Sequence, residues 1–183
     1  MIVLTTKRLI LRHLKEEDEK FLFPILSNRA VMRYYDHPES LEETRKRIAN
    51  LGLKSYQTHG HGFYGCIDRE TKTFIGICGL IPWKNINGGS EIEVGYIFDS
   101  KFWNRGLATE AAFACFDHGF NHFGYDQLVS IIDPNNAPSI RVAKKNGLVF
   151  EAETWRLNKT MLIYSITKKA WEERHHHALS KMS

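Results

Sequence analysis

The sequence predicts a single mixed α/β domain, α+β in layout, and three observations carry that prediction. Segments with strand-like period two alternate with segments of helical spacing. The middle of the chain holds three strand-like runs in succession, joined by short turns. A strand at Glu91–Phe98 then feeds a glycine-containing turn that opens a helix. A chain of 183 residues with 43% hydrophobic content supports one good core.

Residues 2–13 alternate as a first strand, with Leu9 and Leu11 on one face. Glu16–Ser27 follows as a short helix with Phe21, Leu22, Ile25 and Leu26 on its apolar side, kinked or ended by Pro24. Residues 28–38, with Tyr34-Tyr35-Asp36, read as a connector. Ser40-Leu41-Glu42-Glu43 is a capping box, so the second helix starts there; Leu41, Ile48 and Leu51 form its stripe and it fades near Gly60. His61–Asp68, Phe74–Trp83 and Glu91–Phe98 form an antiparallel meander, with turns at 69–72 and 85–89. A helix runs from Asn104 to about His122, packed through Leu107, Ala111, Ala114, Cys115 and His118. Gln127–Asp133 is a strand, and Ala137–Asn146 a helix closed by Gly147. Leu148–Trp155 and Lys159–Thr167 make a hairpin across Arg156-Leu157-Asn158. The domain is read as residues 1–171. Residues 172–183, with His175-His176-His177, are expected to be a polar, solvated tail that frays beyond Trp171.

The stretch EIEVGYIFDSKFWNRGLATE, Glu91–Glu110, organises the rest. A strand turning into a helix through Gly106 gathers unpaired backbone N–H groups at one point, and the helix dipole and Arg105 add positive charge. Gly106 allows close approach and Ala108 keeps the next turn small. Such a corner suits a diphosphate. It lacks the Lys-Ser/Thr ending of a Walker A loop and the G-x-G-x-x-G of a dinucleotide fold.

A formal net charge of +4 suits a binder of polyanionic small molecules, and no Lys/Arg block or aromatic-interleaved basic patch points to nucleic acid. Cys66, Cys78 and Cys115 lack metal or redox spacing and read as buried free thiols of a reducing compartment. No metal is expected. No apolar run reaches transmembrane length, and the N-terminal stretch alternates instead of forming a signal segment, so a cytoplasmic protein is expected.

Three stretches, in this element order, resemble the GNAT acyltransferase superfamily and its RimJ/RimL-like branch: TTKRLILRHLKEED, EVGYIFDSKFWNRGLATEA and DPNNAPSIRVAKKNG, with YSITKKAW like the usual ending. Trp103 stands where other branches carry Gln or Arg. The resemblance implies a mixed, mostly antiparallel sheet with helices on both faces, splayed between its fourth and fifth strands, here Glu91–Phe98 and Gln127–Asp133. It implies acetyl-CoA in that gap. Backbone groups of Ile97 and Phe98 would pair with the pantetheine, and the N–H groups of Asn104, Arg105, Gly106, Leu107, Ala108 and Thr109 would hold the pyrophosphate. Asn136 and Ser139 would sit near the thioester, and Lys145 would neutralise phosphate charge.

Acetyl transfer to an amine needs a positioned thioester, a base, an oxyanion donor and a proton for the leaving thiolate. Glu93 is the expected base, acting directly or through water, ahead of a merely cross-strand role; Glu110 is the lower-ranked alternative. Ser139 is the candidate acid, beside a purely local role at the helix start, since branches with a Tyr acid carry it one turn later, where this chain has Ala143, which leaves Ser139 or water. A backbone N–H near Phe98 is the expected oxyanion donor. Tyr34, Tyr35, Asp36, Trp83 and the Arg156–Asn158 turn are candidates for the acceptor mouth, with core packing the better reading for Trp83, and Asp36, Glu91 and Glu93 would form an acidic vestibule there. The sequence thus predicts an acetyl-CoA-dependent N-acetyltransferase for a protein N-terminus or a small amine, with a non-catalytic acyl-CoA sensor as the alternative. The length suits a monomer or a homodimer.

Overall fold

The computed structural model describes residues 1–86 and 88–180, and for 175–180 the backbone alone. The expected solvation of His175–His177 lies outside the described side chains, and Asn87 of the expected 85–89 turn lies outside the described residues. Eight strands, β1 (Ile2–Thr5), β2 (Leu9–His13), β3 (Phe63–Asp68), β4 (Phe74–Ile86), β5 (Gly89–Phe98), β6 (Gln127–Ile132), β7 (Val149–Arg156) and β8 (Lys159–Thr167), form one sheet in the order β1-β2-β3-β4-β5-β6-β8-β7. Around it stand α1 (Glu19–Leu26), α2 (Leu41–Ile48), α3 (Lys54–His59), α4 (Leu107–Asn121), α5 (Ala137–Lys145) and α6 (Lys168–Ser180).

The predicted first strand is two strands. The chain reverses at Thr6, whose hydroxyl accepts the Leu9 N–H at 2.9 Å while its own N–H donates to the Leu9 carbonyl. Neither Gly nor Pro marks that turn. Ser40 caps α2 as predicted: its hydroxyl accepts the Glu43 N–H, and the Glu43 carboxylate accepts the Ser40 N–H at 2.7 Å. Thr44 and Ile48 are the buried residues of α2, whereas Leu41 is exposed, so the buried stripe is shifted by one side. A wide π-helical segment, Ala49–Leu53, joins α2 to α3, and Gly60 in the left-handed region ends it. Pro24 lies inside α1, which stops two residues later.

Helices lie on both faces of the sheet. On one, Ala111, Cys115, Phe116 and Phe120 of α4 and Trp171 of α6 join Leu9, Leu11, Cys78 and Leu80. On the other, Leu22, Ile25 and Leu26 of α1 and Ile48 of α2 join Phe63, Ile77 and Ile81. At Gly119 an added Cβ would sit 2.7 Å from Leu128, so α4 packs on β6 through a bare backbone.

β5 and β6 run parallel and share one paired position, Glu93 with Val129, after which they part. β6 finds its full partner in β8, antiparallel from Gln127 to Ile132. The sheet is therefore splayed where the resemblance implies.

The chain continues past residue 171 as helix. Trp171 is buried, its ring 4.9 Å from that of Phe113 and 5.6 Å from that of Phe120. Trp171→Ala is expected to destabilise the protein by about 3–5 kcal/mol, read from the denaturant midpoint at unchanged slope, because α6 loses its anchor on α4.

Behind α4 lies a histidine cluster. His61 is fully buried; its Nδ1 faces the Leu80 carbonyl at 2.8 Å, which can only accept, so Nδ1 carries the proton and Nε2 accepts from the Tyr125 hydroxyl. His118 stacks on His122 at 4.6 Å, and burial followed by that like-charged neighbour lowers its pKa to about 4. A base whose folded pKa lies below its unfolded value makes the unfolded state bind more protons. Stability should therefore be full above about pH 6.5 and fall as the pH drops toward 4. Urea midpoints at pH 7.5 and 5 should show that loss, and His118→Gln should reduce it.

Candidate active site

The parting of β5 and β6 opens a cleft of about 650 Å³. Along an antiparallel strand, main-chain groups face its two neighbours alternately. The Asp99 N–H donates to Ile75 on β4, and the Ile97 carbonyl points at Gly76, where an added Cβ would collide with it. On the opposite edge, the Val94 carbonyl accepts from the Ser130 hydroxyl at 3.1 Å and the Phe98 carbonyl from the Trp103 indole at 2.9 Å. The groups open to the gap are thus those of Tyr96 and the Phe98 N–H. Ile97 borders the cleft, but its main chain is turned to β4, one residue out of phase with the expected pairing.

The corner after β5 is built for an anion. Asn104 has φ of 58° and Gly106 of 74°, and these two left-handed residues turn the chain sharply into α4. Gly106 caps α4 without a side-chain partner. The first intrahelical bond runs from the Glu110 N–H to the Gly106 carbonyl, which leaves the N–H groups of Leu107, Ala108 and Thr109 without intrahelical acceptors. Asn104 and Gly106 to Thr109 line the cleft. Arg105 does not: its guanidinium lies over the Phe102 ring at 5.4 Å. Arg8 sits on the corner instead, donating to the Arg105 carbonyl and to Glu110, both at 2.7 Å. Glu110 also accepts from the Thr6 hydroxyl and the Arg8 N–H. Burial alone would raise the Glu110 carboxyl, but these donors together hold it below its usual value. Glu110 is a clamp between the β1–β2 turn and α4, and lies outside the cleft lining.

Across the gap, the Asn136 side chain caps α5 by accepting the Ser139 N–H at 3.2 Å. Asn136, Ser139, Arg141, Val142 and Lys145 all face the cleft. Arg141 stands one helical turn before Lys145, a spacing of four that the sequence displays and that could have flagged it.

Glu93 stands half-buried at the floor where the strands part. One carboxylate oxygen accepts the Ile131 N–H of β6 at 3.3 Å and the other the Trp83 indole N–H. Burial raises its pKa above the ordinary carboxylate range, against the lowering effects of Arg156 and these donors. Tyr96 borders the same space; burial raises its phenol, and the neighbouring Ser139 hydroxyl partly offsets this. Both hydroxyls therefore stay protonated at neutral pH. Tyr96 is the functional candidate that sequence reasoning missed, since nothing in the strand pattern pairs it with α5.

At the far end lie Tyr34 and Tyr35, the latter pushed up to about 12 by burial. Lys159 ties this segment down by donating to the Tyr34 carbonyl and pairing with Asp133 at 2.6 Å. Asp36 is exposed and outside the lining. Glu91 is outside it too, and burial followed by the charge of Glu151 raises its pKa. The expected acidic vestibule is not formed. Arg33, Arg47 and Arg156 border the mouth instead, with Glu93 as its carboxylate. Among the described residues, no group of three or more His, Cys, Asp or Glu is placed to hold a metal, and no helix is long and apolar enough to cross a membrane.

A splayed sheet with an uncapped helix N-terminus and a raised carboxylate at its parting defines an acyl-CoA-using transferase. The sequence profile described as the acetyltransferase (GNAT) domain matches residues 8–149, so the chain belongs to the GNAT acetyltransferase family and is an acetyl-CoA-dependent N-acetyltransferase. It is 35% identical to the uncharacterized protein YkkB of Bacillus subtilis over 88% of this chain and 93% of that one. An acetyltransferase structure from Agrobacterium tumefaciens superimposes with a TM-score of 0.77 at 26% identity, covering 91% of this chain and 94% of that one. The fold is shared with RimL, a ribosomal L7/L12 α-N-protein acetyltransferase in complex with coenzyme A, at a TM-score of 0.76 and 20% identity over 93% and 99% of the two chains.

The clamp assignment for Glu110 is open to test. Glu110→Ala should raise the KM for acetyl-CoA several-fold as the corner loosens. It should leave the acid limb of the pH–rate profile in place, whereas loss of a base would remove that limb.

Proposed function

We propose that the protein transfers the acetyl group of acetyl-CoA directly to a primary amine, with Glu93 as base and Ser139 as the source of the leaving group's proton. The observation that carries this reading is the raised, half-buried Glu93 carboxylate at the point where β5 and β6 part. Acetyl-CoA fits the cleft: the free N–H groups at the start of α4 suit its pyrophosphate, Arg141 and Lys145 its phosphate charge, and the open edge of β5 its pantetheine amides. Bound there, it supplies an activated acetyl thioester.

The chain's residues supply the rest. Glu93 takes a proton from the ammonium, directly or through water, so that the nitrogen lone pair can attack the acetyl carbon. One N–H on the open edge of β5, that of Tyr96 or of Phe98, is the donor for the developing oxyanion, and the remaining open groups of that edge pair with the pantetheine. As the C–S bond breaks, Ser139 delivers a proton to sulfur and the neighbouring Tyr96 phenol replaces it, while the second proton shed by the nitrogen as the amide forms passes through water to restore the phenol. Glu93 later returns its proton to solvent. The buried, disulfide-free thiols of Cys66, Cys78 and Cys115 suit a reducing compartment, consistent with a cytoplasmic enzyme.

Glu93→Gln should lower kcat/KM by about 10²- to 10³-fold and abolish the acid limb of its pH profile, measured by thiol release with a turned-over amine. Because the wild-type pKa is raised, that limb should lie above the ordinary carboxylate range. A Gln variant that keeps full activity at every pH would sink the base assignment. Ser139→Ala should lower kcat more than it changes the acetyl-CoA KM. Tight acetyl-CoA binding without turnover on any amine would favour the sensor reading.

A further inference from the structure

The acceptor is addressed by the charges at the mouth. The lining carries five cationic side chains, Arg33, Arg47, Arg141, Lys145 and Arg156, against two carboxylates, Glu93 and Asp133. Most of these are accounted for. Arg141 and Lys145 face the α4 corner from α5. Arg47 is neutralised by Glu39, and Asp133 by Lys159. Arg156 is different: its side chain makes no hydrogen bond or ion pair among the described residues. Its guanidinium carbon lies over the Trp83 ring, 3.5 Å from the centroid. Arg33 likewise lacks a carboxylate partner among the described residues and rests over the rings of Tyr34, at 4.8 Å, and Trp103, at 5.6 Å.

Trp83 sets the geometry. Its indole N–H holds Glu93 and its face holds Arg156, so one rigid ring fixes a carboxylate and a free guanidinium at a set spacing. The complement of that pair is an ammonium with an anion a few atoms away.

Resting on the transferase reading, we propose that the acceptor is a primary amine flanked by an anionic group, whose anion is taken by Arg156 while its nitrogen faces Glu93. A free guanidinium offers paired donors to a carboxylate or phosphate and repels a second ammonium. The site thus selects against polyamines, which would bring cations where the lining already carries more cations than carboxylates.

The test uses the wild-type protein and Arg156→Gln and Arg156→Glu, with thiol release as readout. The acceptors are short peptides of one sequence with Asp, Asn or Lys at the second position, free amino acids against their amides, and spermidine. Asp should exceed Asn and Lys by about tenfold or more in kcat/KM. Arg156→Gln should erase that preference through the acceptor KM with the acetyl-CoA KM unchanged, and Arg156→Glu should turn it toward Lys. Preference for the acidic peptide, or for the free amino acid over its amide, names the source of the anion and supports the proposal in either case. Wild-type preference for spermidine or the Lys peptide overturns it, as does a rise in the acetyl-CoA KM alone in Arg156→Gln. Should no amine release thiol, the transferase reading fails separately, and calorimetry on the CoA-loaded protein still decides. Binding of the Asp peptide that Arg156→Gln abolishes supports the proposal; equal binding of Asp and Lys peptides overturns it.

Discussion

The structure depends on one interrupted ladder. β5 and β6 meet at Glu93 and Val129 and then separate, so each strand has main-chain groups that lack a sheet partner. Left unpaired in a partly buried cleft, such groups cost free energy. The chain meets that cost locally. The Ser130 hydroxyl serves the Val94 carbonyl, the Trp103 indole serves the Phe98 carbonyl, and the Glu93 carboxylate serves the Ile131 N–H. What remains open, at Tyr96 and the Phe98 N–H, is what an extended ligand can pair with. The cleft is therefore a gap in hydrogen bonding as much as a gap in shape.

A second constraint holds the corner that follows. An uncapped helix start is a poor terminus on its own. Here it is fixed from behind, by Thr6 and Arg8 gripping Glu110 and the Arg105 carbonyl. The grip leaves the helix N–H groups facing the cleft while the charges needed for order stay outside it. That division explains why Arg105, which the sequence offers as the corner's cation, points elsewhere, and why Arg8, distant in sequence, supplies charge there.

The layout of helices and strands was readable because its signals are local: alternation in β2 and at the start of β5, apolar runs bounded by turns in β3, β4 and β6, the Ser40 capping box, Gly147 with φ of 90° after α5. The β1–β2 reversal was not, because a Thr hydroxyl makes it without Gly or Pro. The α4 corner and the Asn136–Ser139–Lys145 face could be placed from a linear motif. The mouth could not. Asp36 and Glu91 were grouped with Glu93 by sign and proximity in the chain, yet strand register and loop packing send them outside and bring in Arg33 and Arg47. Strand phase also decides which of two adjacent residues turns its backbone to the gap, and alternation alone does not reveal the edge that stays unpaired. Ile97 was misjudged for that reason.

Glu93 has two physical roles, and they bear on each other. Its two oxygens satisfy two donors, the Trp83 indole and the Ile131 N–H, a task for which Gln has only one acceptor oxygen. That alone would explain a Glu here and would lower its pKa. The raised pKa means that loss of hydration outweighs both bonds and the pull of Arg156. A purely structural carboxylate gains nothing from such a balance, since a raised pKa marks a charge held at a cost to folding. A base gains from it directly, because proton affinity closer to neutral pH serves transfer from an ammonium. An anion bound by Arg156 would further cancel the charge that lowers the Glu93 pKa, making the carboxylate more basic when the acceptor arrives. Recognition of the acceptor's anion and activation of its nitrogen then meet at the face and the N–H edge of the Trp83 ring.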